Sequence, residues 1–304
     1  MEGEVKKLLK LSPYADEKVW GGELLKKIKN IKSSNAVGET FEISTLQNQN
    51  SYVGEVELSR LVDDLPYLVK LIETTDNLSI QVHPGDEYAK RVEKSRGKTE
   101  CWLILSANEG AGIYLGFKPG VSPSIFKSAI EKGDSVNKLL EFHPVKPGDF
   151  FYVPSGSIHA IGVGILMAEV QQSCGVTYRV WDWNRKGLDG KPRDLHIDKA
   201  MDVINFEELK NKKSYFQFKE NVFDHGEILL ASHEDFHFKL VKNKGDINPI
   251  GSVPNGLINF SKNEVEIQQG NEKIKLKYLE CALTTELKVN LKINGNDILI
   301  GQVY

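Results

Sequence analysis

Cysteine is scarce, with three in 304 residues (Cys101, Cys174 and Cys281). None belongs to a CxxC pair, and an odd, widely spaced set is no disulfide framework, so a reducing cytoplasm is the expected compartment. Long hydrophobic runs are missing too. No window approaches 18 uninterrupted apolar residues, which excludes a membrane-spanning helix. The basic start MEGEVKKLLKLSPY has no apolar stretch behind it, so no secretory signal is expected. A basic surplus is also absent. Lys and Arg number 39 against 42 Asp and Glu, for a net charge of −3, and a nucleic-acid partner is not expected. There is no fixed-period repeat and no low-complexity tract. Hydrophobic residues make up 40% and charged residues 27%, an ordinary globular balance with ample length for one large domain or two modest ones.

The chain does hold many short apolar strings, punctuated by Gly, Pro, Asn and Asp. Leu78, Ile80 and Val82 alternate with Ser79, Gln81 and His83, which puts the three polar residues on one strand face. Cys101–Leu105, Phe150–Val153 and Ile165–Gln172 read as buried strands. Leu287, Val289, Leu291 and Ile293 read as a half-exposed strand that turns at Asn294-Gly295-Asn296-Asp297 into Ile298 and Ile300, a hairpin. Helices are few: Asp86–Ser95, Ser124–Lys132 ending at Gly133, and one after Asp194 bearing Ile197, Met201 and Ile204. Many strands with few helices predict a mainly β protein, an antiparallel barrel or jelly roll. A polar seam near 205–220 divides a catalytic unit, 1–215, from a structural β-unit, 216–304.

Three segments hold candidate chemistry. Gln81 and His83 project from one strand face, close enough to share a metal. Lys98 and Glu100 share a face two residues apart. The turn Pro147-Gly148-Asp149 feeds a strand that ends at Pro154-Ser155-Gly156 and presents His159 just beyond. One amide oxygen, two imidazoles and a carboxylate form an N/O donor set suited to zinc, with Fe²⁺ or Mn²⁺ also compatible. Taken singly, each residue has a plainer explanation, a hydrogen-bonded histidine or a solvated charge pair.

Together the spacings are more specific. Gly148 to His159 is similar to the second cupin motif, G-x5-P-x-G-x2-H. Leu78–Pro84, Gly97–Trp102, Pro147–Ala160, Glu169–Gln172, Thr177–Asp182, Val19–Gly22 and Leu195–Met201 closely resemble type I mannose-6-phosphate isomerases, over about residues 13 to 205. The length suits the compact bacterial form. The resemblance implies a cupin-type jelly roll with one zinc ion per chain on Gln81, His83, Glu100 and His159. It also implies a phosphorylated hexose substrate, a monomer or homodimer, and Arg179 as the active-site arginine.

Interconverting mannose 6-phosphate and fructose 6-phosphate moves a proton between C1 and C2 through an enediol. Glu169 and a zinc-bound hydroxide are the candidate bases, and Glu169 could instead orient a ligand. No glycine-rich phosphate loop is present, so Lys98 and Ser79 are the expected substrate-phosphate contacts, with a plain Lys98–Glu100 salt bridge as the alternative. A cupin that binds a phosphosugar without turnover, a cupin oxygenase and a related sugar isomerase are the competing functions. The remaining histidines are expected to be structural: His143 in a loop, His196 at a helix start, His225 and His233 in the second unit, and His237 facing solvent. Cys101 is expected to point into the core.

Overall fold

The computed structural model describes residues 7–133 and 135–304. It is built of stacked antiparallel sheets. A five-stranded sheet runs in the order Leu140–Pro144, Gly112–Phe117, His159–Ile161, Ile80–Val82, Tyr178–Trp181. A six-stranded sheet runs Phe150–Val153, Glu100–Ala107, Ile165–Gln172, Tyr67–Glu73, Val37–Ile43, Tyr14–Gly22. The two enclose a barrel interior packed by Trp20, Ile72, Trp102, Ile104, Ile113, Leu115, Phe151, Met167 and Phe216. This is the jelly-roll barrel that the strand pattern predicts.

Outside the five-stranded sheet lie the helices Pro123–Lys132 and Ile197–Val203, which place Phe126, Ile130 and Ala200 on Ile80, Val82, Ala160 and Val180. The first is capped by the Ser122 hydroxyl and stops at Gly133, whose φ is 66°. The second starts at His196 rather than at Asp194. Asp86–Val92 is a short helix inserted between two segments of the candidate site.

Behind the six-stranded sheet stands the C-terminal unit, a second pair of sheets. Its first sheet runs Leu8–Lys10, Cys281–Thr284, Asn255–Asn259, Leu299–Val303, His237–Lys242, Glu227–Ser232. The N-terminal strand therefore crosses over to this unit, pairing Leu8 with Thr284. Phe236, Phe238, Leu240, Ile258 and Leu283 pack on Val69, Leu71, Leu103, Ala168 and Val170 in one shared core. The six-stranded sheet is thus covered on both faces, which is why its strands read as nearly unbroken apolar strings.

Three expectations are corrected. Leu291–Asn294 and Leu299–Val303 do not form a hairpin. The first pairs with Asp246–Ile247 and Val265–Gln269, the second with His237–Lys242 and Asn255–Asn259, and residues 287–290 are not strand. Ile300 to Val303 are buried on both sides, a burial that a central strand provides and one arm of a hairpin does not. His143 lies in the strand Leu140–Pro144, not in a loop, with its Nε2 3.1 Å from the Leu115 carbonyl. His237 is half-buried, its ring stacked on Tyr304. Among the described residues no helix is long and apolar enough to cross a membrane.

Candidate metal centre and cavity

Strand register gathers the site. On the five-stranded sheet His159 and Arg179 lie directly opposite Gln81, one on each side. On the six-stranded sheet Glu169 lies opposite both Lys70 and Trp102, and Gln171 opposite Glu100. Side chains alternate along a strand, so all of these face the barrel interior while their neighbours face the other core. Two glycines set the approach. A Cβ on Gly97 would lie 2.6 Å from the Asp86 backbone nitrogen. Gly156, at φ 81°, turns the corner before His159, and a Cβ there would lie 2.8 Å from the Val203 carbonyl.

His83, Glu100 and His159 are all buried, and their ligand atoms lie within 4.8 Å of one another. His83 Nδ1 donates to the Val176 carbonyl at 2.9 Å, and His159 Nδ1 to the Ser157 carbonyl at 3.0 Å. A carbonyl only accepts, so each proton sits on Nδ1 and each Nε2 turns a lone pair inward. Those lone pairs lie 3.5 and 3.4 Å from the Glu100 carboxylate. Burial depresses both imidazole pKa values, that of His159 to about 4, with Lys98 adding to the effect. Two neutral imidazoles and a carboxylate are the donor set a divalent cation takes. Buried Glu100 Oε2 also lacks a well-angled hydrogen bond. Cys101 faces the other core, so no thiolate competes. The residues fit a metal.

Donor N–H groups fill this focus. Lys98 Nζ lies 3.1 Å from His83 Nε2 and 3.0 Å from Glu100 Oε2. The Gln81 amide nitrogen lies 3.3 Å from His159 Nε2, while the Gln81 oxygen accepts from the Ser79 hydroxyl at 3.1 Å. Gln81 is therefore at the site, but it presents its oxygen inward only if the amide turns over. For Lys98, the salt bridge to Glu100 is present, and it is buried.

The surrounding cavity has a volume of about 290 Å³. Glu169 lines it, with Oε2 accepting from Trp102 Nε1 at 3.1 Å and Oε1 3.5 Å from Lys70 Nζ. Burial, reinforced by Glu100, raises the Glu169 pKa. Arg179 also lines the cavity. Its Nε donates to Ser79 Oγ at 3.2 Å and its Nη1 to the Asp194 carbonyl at 2.8 Å.

Four lining charges were not singled out from sequence: Lys18, Glu39, Lys70 and Arg193. Lys70 carries a legible signal, a single cation inside the otherwise apolar string Tyr67–Ile72, where every residue is buried. Glu39 lies between Lys70 at 3.4 Å and Lys18 at 3.5 Å. Burial opposes its charge, yet these lysines with Lys98 outweigh burial and hold its pKa down at about 2.

The family model for phosphomannose isomerase type I, catalytic domain, matches residues 12–100. The chain is 39% identical over 210 residues to mannose-6-phosphate isomerase ManA of Bacillus subtilis, covering 63% of this chain and 66% of the relative. It is 39% identical over 213 residues to the probable mannose-6-phosphate isomerase GmuF of the same organism, covering 64% of this chain and 67% of the relative. The match to the first of these thus spans just under two thirds of its length. The crystal structure of mannose 6-phosphate isomerase from Bacillus subtilis superposes with a TM-score of 0.83 at 26% identity, covering 98% of this chain and 100% of that one.

Proposed function

We propose that this chain, which belongs to the type I phosphomannose isomerase family, interconverts mannose 6-phosphate and fructose 6-phosphate with one zinc ion per chain. The single observation that carries the reading is the convergence of two Nε2 lone pairs and a carboxylate at one end of a charged cavity, with a second buried carboxylate, Glu169, beside them.

His83, Glu100 and His159 would hold the metal, and Gln81 would join them by turning its amide oxygen inward. When bound, zinc supplies a Lewis acid that polarises oxygen and favours the charge that develops there. The chain's own residues do the rest. Glu169 takes the proton from the substrate carbon and returns it to the neighbouring one. Trp102 fixes one of its oxygens, and burial makes the carboxylate a stronger base than a free one. With the metal held by these ligands, Lys98 would remain in the buried space beside Glu100, where it would meet the hydroxyl oxygens at the reacting end of the sugar. Ser79 bridges Gln81 and Arg179 and so fixes the guanidinium relative to the metal ligand. Arg179 offers planar, permanently charged donors to substrate oxygens, which an ammonium cannot reproduce. Residues 1–215 carry the catalytic unit. Residues 216–304 back the six-stranded sheet that positions Glu100 and Glu169.

The test is product formation in heavy water. A coupled assay for fructose 6-phosphate measures turnover, and mass spectrometry of the recovered sugar phosphates reads deuterium at C1 or C2. Turnover with deuterium incorporation supports an enediol with a side-chain base. Phosphosugar binding without turnover would make the chain a binding cupin instead.

A further inference from the structure

We propose that Arg193 is a specificity-determining residue, closing a clamp with Arg179 that holds the phosphate group of the substrate. This inference rests on the isomerase reading and names the part of the cavity that selects a phosphorylated sugar.

Charge balance among the lining residues singles out the arginines. Three lysines and three glutamates line the cavity, and they are mutually paired. Lys18 pairs with Glu39, Lys70 with Glu39 and Glu169, and Lys98 with Glu100. None of the three is a spare cation for a dianion. The arginines differ. Arg179 is held by a hydroxyl and a carbonyl, and no carboxylate pairs with it among the described residues. Arg193 pairs with Asp182 through Nε at 2.7 Å and Nη2 at 2.6 Å, but the same carboxylate also takes Arg185 at 2.9 Å. Arg185 has a second partner in exposed Asp76 at 2.9 Å, so Asp182 and Asp76 together balance Arg185 and Arg193, and Arg179 is left as the cavity cation without a carboxylate among the described residues. The excess positive charge of the cavity therefore lies at Arg179, and Arg193 lines the cavity with it.

The donors are also prepared. Asp182 is buried, and its double grip fixes the plane of Arg193 before any ligand arrives, which lowers the ordering cost of binding. Arg193 Nη1 and Arg179 Nη2 have no protein partner among the described residues. Asp194, next in the chain, gives its carbonyl to Arg179, so the same loop positions both arginines. Two planar cations with free N–H groups match a phosphate dianion.

The experiment uses the full-length, zinc-loaded protein. Steady-state kinetics on mannose 6-phosphate and competitive inhibition by inorganic phosphate are compared for wild type, Arg193→Met and Arg193→Lys. In Arg193→Met, KM and the phosphate inhibition constant should both rise about tenfold to a hundredfold, with kcat within about threefold, as expected for one lost charge-assisted contact. Arg193→Lys should recover part of the loss. A rise below fivefold in both constants, in a variant with native zinc content and native circular dichroism, overturns the clamp. The isomerase reading fails separately, if wild type makes no fructose 6-phosphate. Thermal stabilisation by inorganic phosphate alone, seen in wild type and lost in Arg193→Met, would then still support the clamp.

Discussion

The two faces of the six-stranded sheet share the same strands and have opposite chemistry. Along Glu100–Ala107, Glu100, Trp102 and Ile104 face the barrel, while Cys101 and Leu103 face the C-terminal unit. Along Ile165–Gln172, Met167 and Glu169 face the barrel, and Leu166, Ala168 and Val170 face away. In Tyr67–Glu73, Lys70 and Ile72 oppose Tyr67, Val69 and Leu71. A slip of one residue would drive Lys70, Glu100 and Glu169 into a dry core, where unpaired charges are prohibitive. The apolar face, locked against a second sheet, holds the register that the charged face needs. On the charged face each buried cation is matched by a carboxylate, so removing one partner strands the other.

That contrast can be broken from either side. The largest effect is expected from His159→Ala. It should lose its bound zinc and nearly all turnover, beyond the roughly 10–100-fold loss typical of outer partners of a metal ligand, while its circular dichroism stays native. Zinc content by mass spectrometry and the coupled assay read it. Arg179→Lys should keep its zinc and fold yet lose about a hundredfold in kcat/KM, because an ammonium cannot reproduce a planar fork. A lysine variant near wild type would show that charge alone suffices.

On the other face the losses should be of stability and not of chemistry. Leu103→Ala removes a fully buried side chain from the shared core and should cost roughly 2–5 kcal/mol in denaturant unfolding. The kcat of the folded fraction should stay within about threefold. A large kcat loss there would mean that the two faces are not independent.

A smaller, pH-dependent effect should follow from Glu39→Gln. The Glu39 pKa is depressed to about 2 in the folded protein from an ordinary value of 4.5. Its stabilisation is therefore fully present above about pH 4.5 and is lost as pH falls towards 2, a difference on the order of 3 kcal/mol at neutrality. Unfolding of wild type and Glu39→Gln, compared at pH 7 and pH 3, should show the gap between them narrowing in acid. A gap independent of pH would rule out the ion-paired account of Glu39.

Much of the candidate metal-ligand group was legible because local spacing encodes it. Period two put Gln81 and His83 on one face, and the Pro-Ser-Gly corner announced His159. Their convergence with Glu100 is a matter of strand pairing, and there the family motifs supplied what periodicity does not. Glu39 and Arg193 carried no such signal. Each reaches the cavity only because distant strands or a long loop bring it there, and a charge in an exposed-looking segment resembles any other. The C-terminal hairpin was misread for a related reason. Alternation identifies a strand and its buried side, but not which of two sheets the strand joins after a turn.

A divalent metal at the charged end of the barrel is the central element of the proposed chemistry, and its removal and return is the most direct test. The protein is stripped with a chelator, assayed for conversion of mannose 6-phosphate to fructose 6-phosphate, and titrated with Zn²⁺. Activity should vanish on stripping and return in proportion to zinc, reaching its plateau near one ion per chain. Full turnover in a preparation shown by mass spectrometry to contain no divalent metal would contradict it.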